Sequence, residues 1–135
     1  MDRNIIFFDV ETNGKIGSSV LSISAIKVNY NFEKNEWTKV SEYNRFYFRN
    51  DGEPIDFGAV NVHGLTDEVI SSKRQGTNYP LTFKEDIDAF FLYCQDTNHF
   101  VAHNIKFDRS FIPFPLKNQF DTMMENIDIV KAGIN

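Results

Sequence analysis

The 135-residue sequence contains one cysteine, Cys94, so no internal disulfide can form, which fits a reducing, cytoplasmic setting. Nowhere do the roughly 18 or more apolar residues of a membrane-spanning helix run together, and no membrane association is expected. The start, MDRNIIFF, carries an acid early and lacks a small-residue cleavage site, so it does not read as a signal peptide. A basic surplus is missing too. Lys and Arg number 14 against 19 Asp and Glu, a formal charge of −5, the reverse of the usual nucleic-acid binder. That objection weakens if the acids hold metal: two divalent cations would cancel four of the five excess charges and make their site locally positive. With no internal repeat, low-complexity tract or linker, the chain reads as one domain large enough for a core.

What the sequence does have is aromatic residues, 14 Phe and 5 Tyr, and clear periodicity. Residues 4–9 predict a short buried strand. Val20 to Tyr30 predicts a second, with Leu21 and Ile23 in one phase and Ile26, Val28 and Tyr30 in the other; the change near Ser24-Ala25 predicts a bulge or burial on both faces. A polar connection over residues 31–36 leads to a third strand from Trp37 to Arg49, broken near Ser41. Residues 50–80 are irregular, with short helical turns after Phe57 and Thr66. Thr82-Phe83-Lys84-Glu85 has the form of a capping box, and Phe83, Ile87, Phe90, Phe91 and Cys94 make one apolar stripe of a helix. Phe100-Val101-Ala102 predicts a buried strand. A helix from Asn104 is stopped by Pro113 and Pro115. After a short possible strand, Thr122-Met123-Met124-Glu125 predicts a last helix, with Met123, Ile127 and Val130 on one side and Gly133 at its end. Three hairpin-linked strands give an antiparallel unit. The strand reached through a helix should lie parallel to the first by a right-handed crossover. In such sheets ligands collect at the carboxyl ends of the parallel strands.

Two acids stand at that end of the first strand. In Phe8-Asp9-Val10-Glu11, the period of two directs Asp9 and Glu11 to the same face, where like charges repel unless a cation lies between them. If the later strand neighbours the first, Asp108, in the first turn of the following helix, can face the same spot. Three hard carboxylate donors suit Mg2+ or Mn2+, and the spacing does not match a zinc site of Cys and His. Taken singly, each residue has an ordinary alternative: a solvated turn for the Asp-x-Glu pair, a helix-start acid for Asp108, a strand-end backbone contact for His103, a plain turn for His63-Gly64. Cys94 and the Phe stripe read as core.

The motifs occur in an order that resembles the DnaQ-like (DEDD) 3′–5′ exonucleases. Phe8-Asp9-Val10-Glu11-Thr12-Asn13-Gly14 resembles that family's first motif, and Val62-His63-Gly64-Leu65-Thr66-Asp67 its His-Gly-(Ile/Leu)-Thr segment. Val101-Ala102-His103-Asn104 through Phe107-Asp108 resembles the second acidic motif. Phe120-Asp121-Thr122-Met123 is similar to the Asp-Thr that opens the next helix. The resemblance implies a ribonuclease H-like α/β fold, a mixed sheet of three antiparallel strands plus parallel strands flanked by helices. It also implies two-metal hydrolysis of phosphodiester bonds at the 3′ end of nucleic acid. Single-stranded DNA is the favoured substrate and RNA the second candidate, as in proofreading or repair exonucleases of the polymerase III epsilon type, with a DNA polymerase subunit as a candidate partner. By the match, Asp9 would bridge both metals, with Glu11 and Asp108 as further ligands. Thr12, Asn13 and Gly14 would contact the terminal nucleotide. His63, Gly64 and Leu65 would hold its base and sugar, and Asn104 and Phe107 would line the same pocket. Shape and stacking contacts of that sort tolerate any base.

The family's third motif, a His or Tyr base with a fourth Asp, finds no counterpart. His103 and Asp108 have its spacing but belong to the second motif, Tyr47 and Asp51 lie far upstream, Asp121 reads as a helix start, and Asp128 lies on the last helix. The expectation is therefore an exonuclease domain over residues 1–135 that is incomplete at its C-terminus and inactive by itself. The alternative is a binding module of the same fold without hydrolysis. An aspartate-nucleophile phosphatase is disfavoured, because it needs Asp-x-Asp where this chain has Asp9-x-Glu11.

Overall fold

The computed structural model describes residues 2–122. Five strands form one sheet in the order β3-β2-β1-β4-β5: β1 (Asp2–Thr12), β2 (Val20–Asn31), β3 (Glu36–Phe46), β4 (His99–Ala102) and β5 (Gln119–Asp121). The first three are antiparallel, while β4 runs parallel to β1 and β5 parallel to β4. This is the predicted arrangement, with β1 central. Helices α1 (Phe57–His63) and α2 (Asp67–Lys73) follow β3, α3 (Ile87–Cys94) precedes β4, and α4 (Ile105–Arg109) joins β4 to β5.

Alternation along β1 explains how the sheet presents its acids. Ile6, Phe8 and Val10 point into the main core with Ile23, Tyr47, Phe90 and Phe100. Ile5 joins a smaller cluster with Tyr30 and Val101, in the phase that carries Phe7, Asp9 and Glu11. Strand β1 runs past the predicted residues 4–9 at both ends, because pairing with β2 continues from Asp2↔Asn31 to Thr12↔Val20. The irregularities expected near Ser24-Ala25 and Ser41 lie nearby. Leu21 is an extra residue of β2 opposite the Glu11–Thr12 step, and Val40 an extra residue of β3 opposite Lys27–Val28. Leu21 thereby joins Leu65 and Ile70, while Ile23 stays in the main core.

Three local expectations change. Phe91 is 44% exposed, resting edge-on against Phe114, so the α3 stripe is Phe83, Ile87, Phe90 and Cys94. Thr82 Oγ1 donates to Glu85 Oε1 at 2.8 Å and accepts no backbone N–H, so residues 83–85 form a single 3-10 turn and α3 starts only at Ile87. Helix α4 ends at Arg109, ahead of both prolines, where bonds from Phe111 N to Asp108 O and Ile112 N to Arg109 O tighten the chain. The helix predicted from Thr122, with Met123, Ile127, Asp128, Val130 and Gly133, lies outside the described residues. Among the described residues no helix is long and apolar enough to cross a membrane.

Candidate active site

Because β1, β4 and β5 are parallel, their carboxyl ends share one edge of the sheet, and there the acids gather. Burial, then the charge of Asp9 and a hydrogen bond shared with it, push the Glu11 carboxyl up to about 7. Asp108, only 5% exposed, is also pushed up to about 7, by burial first, then by Asp9, with Glu11 and Asp121 adding to it. The Asp108 carboxylate accepts the Val10 N–H, a donor lying beyond the β1–β4 pairing, which stops at Phe7↔Val101. That bond fastens Asp108 to the backbone between Asp9 and Glu11. The three acids expected together from the sequence lie near enough for Asp9 to raise the values of Glu11 and Asp108, while among the described residues no three Asp, Glu, His or Cys side chains stand within reach of one metal point.

A fourth acid joins them. Asp121, read from the sequence as a helix start, is the last residue of β5, 5% exposed. Its Oδ2 accepts the Ile105 N–H at 3.3 Å, taking up an orphan donor at the start of α4, where Asn104 makes no side-chain cap. Only the pairing Ala102↔Asp121 brings it beside Asp108. The available signal was an acid ending a short strand, the same pattern as in β1.

The residues expected to flank a nucleotide divide into two kinds. Thr12, Asn13 and His63 are spent on the chain itself. Thr12 Oγ1 accepts the Gly14 N–H at 3.2 Å. Buried Asn13 donates through Nδ2 to Glu53 Oε2 (2.6 Å) and to the Pro54 carbonyl (2.8 Å), and its Oδ1 accepts the Asp56 N–H (2.9 Å). Direct contact of the Asn13 amide with a ligand is thus replaced by a scaffold role. His63 Nδ1 accepts from Leu65 N–H at 3.0 Å, so Nε2 carries the proton and donates to the Thr12 carbonyl at 2.8 Å. Gly64 ends α1 with φ 71°. Gly14, at φ +117°, has room for no side chain: a Cβ there would stand 2.5 Å from Asp56 Oδ2. Glu53, a residue the sequence did not point to, is held below the usual carboxylate range. Burial opposes this, but the Ser19 N–H and Asn13 hydrogen bonds outweigh it. Asn104 and His103 are exposed beside the acids, and Phe107 is half-buried against Phe111, ring centroids 5.0 Å apart.

Leu65 is 9% exposed and packs with Leu21 and Ile70, which makes it core whatever else it touches. Leu65→Ala is expected to lower unfolding free energy by about 2–3 kcal/mol through lost burial and the cavity left behind. A urea melt checks this. An unchanged midpoint would mean that the side chain lies free for a ligand.

Three antiparallel strands followed by two parallel ones in the order β3-β2-β1-β4-β5, flanked by helices, make a ribonuclease H-like fold. Among solved structures the chain is similar to exonuclease I in its complex with SSB-Ct, with a TM-score of 0.68 at 15% identity over 98% of this chain and 30% of that one. It is similar to E. coli exonuclease I in complex with a dA16 oligonucleotide, with a TM-score of 0.67 at 15% identity over 96% and 29%. The cell-death related nuclease CRN-4 is a more distant likeness, with a TM-score of 0.52 at 12% identity over 80% and 38%. The chain thus spans about 30% of the length of the exonuclease I chains it matches. No protein-family model and no curated protein matches the sequence.

Proposed function

We propose that this chain is a nuclease domain that hydrolyses the phosphodiester bond at the 3′ end of a nucleic acid strand, single-stranded DNA in the first place and RNA in the second, with two divalent ions, Mg2+ or Mn2+. The observation that carries this reading is the crowding of Asp9, Glu11 and Asp108 at one strand edge, with two of their carboxyls raised to about 7. Such crowding costs stability in a protein that does nothing with it. The likeness to exonuclease I, one structure of which holds an oligonucleotide, supports the substrate class.

The donor set fits such ions, since each ligand is a hard carboxylate oxygen. Among the described residues, no three Asp, Glu, His or Cys side chains stand within reach of one metal point, so the acids would close in on a bound ion. Asp9, Glu11 and Asp108 would hold the ions. When bound, the ions would supply a hydroxide equivalent at neutral pH and neutralise charge on the leaving 3′-oxygen. The chain's own residues do the rest. The Val10 N–H keeps Asp108 between its partners, Asp121 holds the start of α4, and His63, Gly64 and Leu65 bound the space for the terminal sugar and base. His63, with both nitrogens committed, is a wall of that space and not its proton acceptor.

Mn2+ calorimetry on wild type and Asp9→Ala tests the reading, together with digestion of a 5′-labelled single-stranded oligonucleotide. Wild type should bind Mn2+ and Asp9→Ala should not. Any digestion by residues 1–135 should vanish in Asp9→Ala. Equal Mn2+ binding by the two proteins would reject the metal site. Metal and nucleotide binding without any digestion would favour the binding module.

A further inference from the structure

Helix α1 buries none of its residues: Phe57 is 74% and Val62 84% exposed. Apolar packing, which supplies most helix stability in proteins, does not fix it in place. Its C-terminal end is fastened twice, by His63 to the Thr12 carbonyl and by the following Leu65 in its core cluster. Its N-terminal end is fastened by polar contacts. Asp56, the N-cap, takes the Ala59 N–H on its side chain and gives its own N–H to Asn13 Oδ1. Asn13 is in turn oriented by the Pro54 carbonyl and by Glu53, whose Oε2 also accepts the Ser19 N–H at 3.0 Å. Arg49 donates to the Glu53 carbonyl and pairs with Asp67 of α2 at 2.9 Å. The bare Cα of Gly14 lets the two segments approach this closely.

We infer that Glu53 is a positioning residue: acting through Asn13, it clamps the N-terminal end of α1 against the end of β1 and so sets the width of the space between α1 and the acids. Its link to the site rests on the reading above, that a 3′-terminal nucleotide lies in that space. Two features make Glu53 the controlling member. An ionised acceptor bonds a buried amide more strongly than a neutral one, and Asn13, 5% exposed, has no water to turn to if that acceptor is lost. Glutamine keeps an acceptor oxygen at the same reach, so it should restore most of the clamp where alanine cannot.

The experiment compares wild type, Glu53→Ala and Glu53→Gln by amide hydrogen exchange and by calorimetric titration with thymidine 5′-monophosphate in the presence of Mn2+. In Glu53→Ala, the Ala59 and Val60 amides, bonded to Asp56, should exchange at least about tenfold faster, while Ile23 in the main core stays protected. Nucleotide affinity should fall about five- to tenfold with Mn2+ affinity unchanged, and Glu53→Gln should recover most of both losses. Unchanged exchange at Ala59 and Val60 overturns the clamp, and so does loss of protection at Ile23, which would make Glu53 a global fold residue. Faster exchange with unchanged nucleotide affinity overturns its link to the site. If wild type binds Mn2+ but no nucleotide, the functional reading fails, and the exchange rates alone then decide whether the clamp exists.

Discussion

Asp86→Ala is expected to destabilise the protein by about 3 kcal/mol, a large effect for a single polar side chain outside the acid cluster. Asp86 is buried between α3 and β3. Its Oδ2 accepts the Tyr47 hydroxyl at 2.7 Å and Arg45 Nη1 at 2.8 Å, and Tyr43 reaches the same network through Tyr47, 2.7 Å away. Burial pushes the Tyr43 hydroxyl up to about 12 and moves Tyr47 in the same direction, so both remain protonated donors. Removing the acceptor leaves one hydroxyl proton of the buried Tyr43–Tyr47 pair without a partner, at a desolvation cost of about 1–3 kcal/mol. Breaking a buried ion pair by deleting one partner costs about 3–5 kcal/mol, but Arg45 is 33% exposed and can rehydrate, which holds the total near the lower figure. Asp86→Asn keeps an acceptor for Tyr47 and should lose roughly half as much. Urea denaturation of both variants checks the order, and equal losses would show that charge and not hydrogen bonding holds the network.

The second large effect is a dependence of stability on pH that divalent metal removes. Glu11 and Asp108 have folded values of about 7 against ordinary values of 4.5 and 3.8. A carboxyl raised on folding keeps a proton that the unfolded chain has already released. Its contribution is fully present below the ordinary value and is lost as pH rises through the folded value. Metal-free protein should therefore lose about 2–4 kcal/mol between pH 4 and pH 8, at roughly 1.4 kcal/mol per unit of displacement, less what the coupling of the two acids counts twice and what solvent screens at Glu11, which is only partly buried. Mn2+ binds the ionised acids of the native state alone, so it should restore stability at pH 8 and do little at pH 4. Melts at the two pH values with EDTA or Mn2+, on wild type and on Glu11→Gln/Asp108→Asn, test this. The double variant should be flat in pH and indifferent to Mn2+. A wild-type curve equally flat would mean that the acids lie too far apart to feel one another.

How much of this was legible in the sequence differs from residue to residue. Asp9 and Glu11 were readable because strand alternation is a local rule, and Asp108 followed from the crossover that sets β4 beside β1. The short helical turns after Phe57 and Thr66 were readable because their caps, Asp56, Gly64 and Thr66, are complete within a few residues. Asp121 was read only as the start of a following helix, and its place beside Asp108 was not legible because a three-residue strand carries too little periodicity to show what it pairs with. Phe91 was misassigned because a helical stripe does not say how wide a face its neighbours cover.

By itself the sequence determined the order of elements, the parallel edge and three of its acids, since these depend on the period of side chains along a strand and on the handedness of a crossover. Tertiary structure alone decided that Asp121 stands behind Asp108, that Asn13 and His63 face inward, and that Glu53 and Asp86 hold elements some 40 residues distant in the chain. The physical reason is the same in each case. A polar side chain of these types can cap, bridge or face water with equal local ease, and the choice falls only when burial leaves one donor within reach of one acceptor.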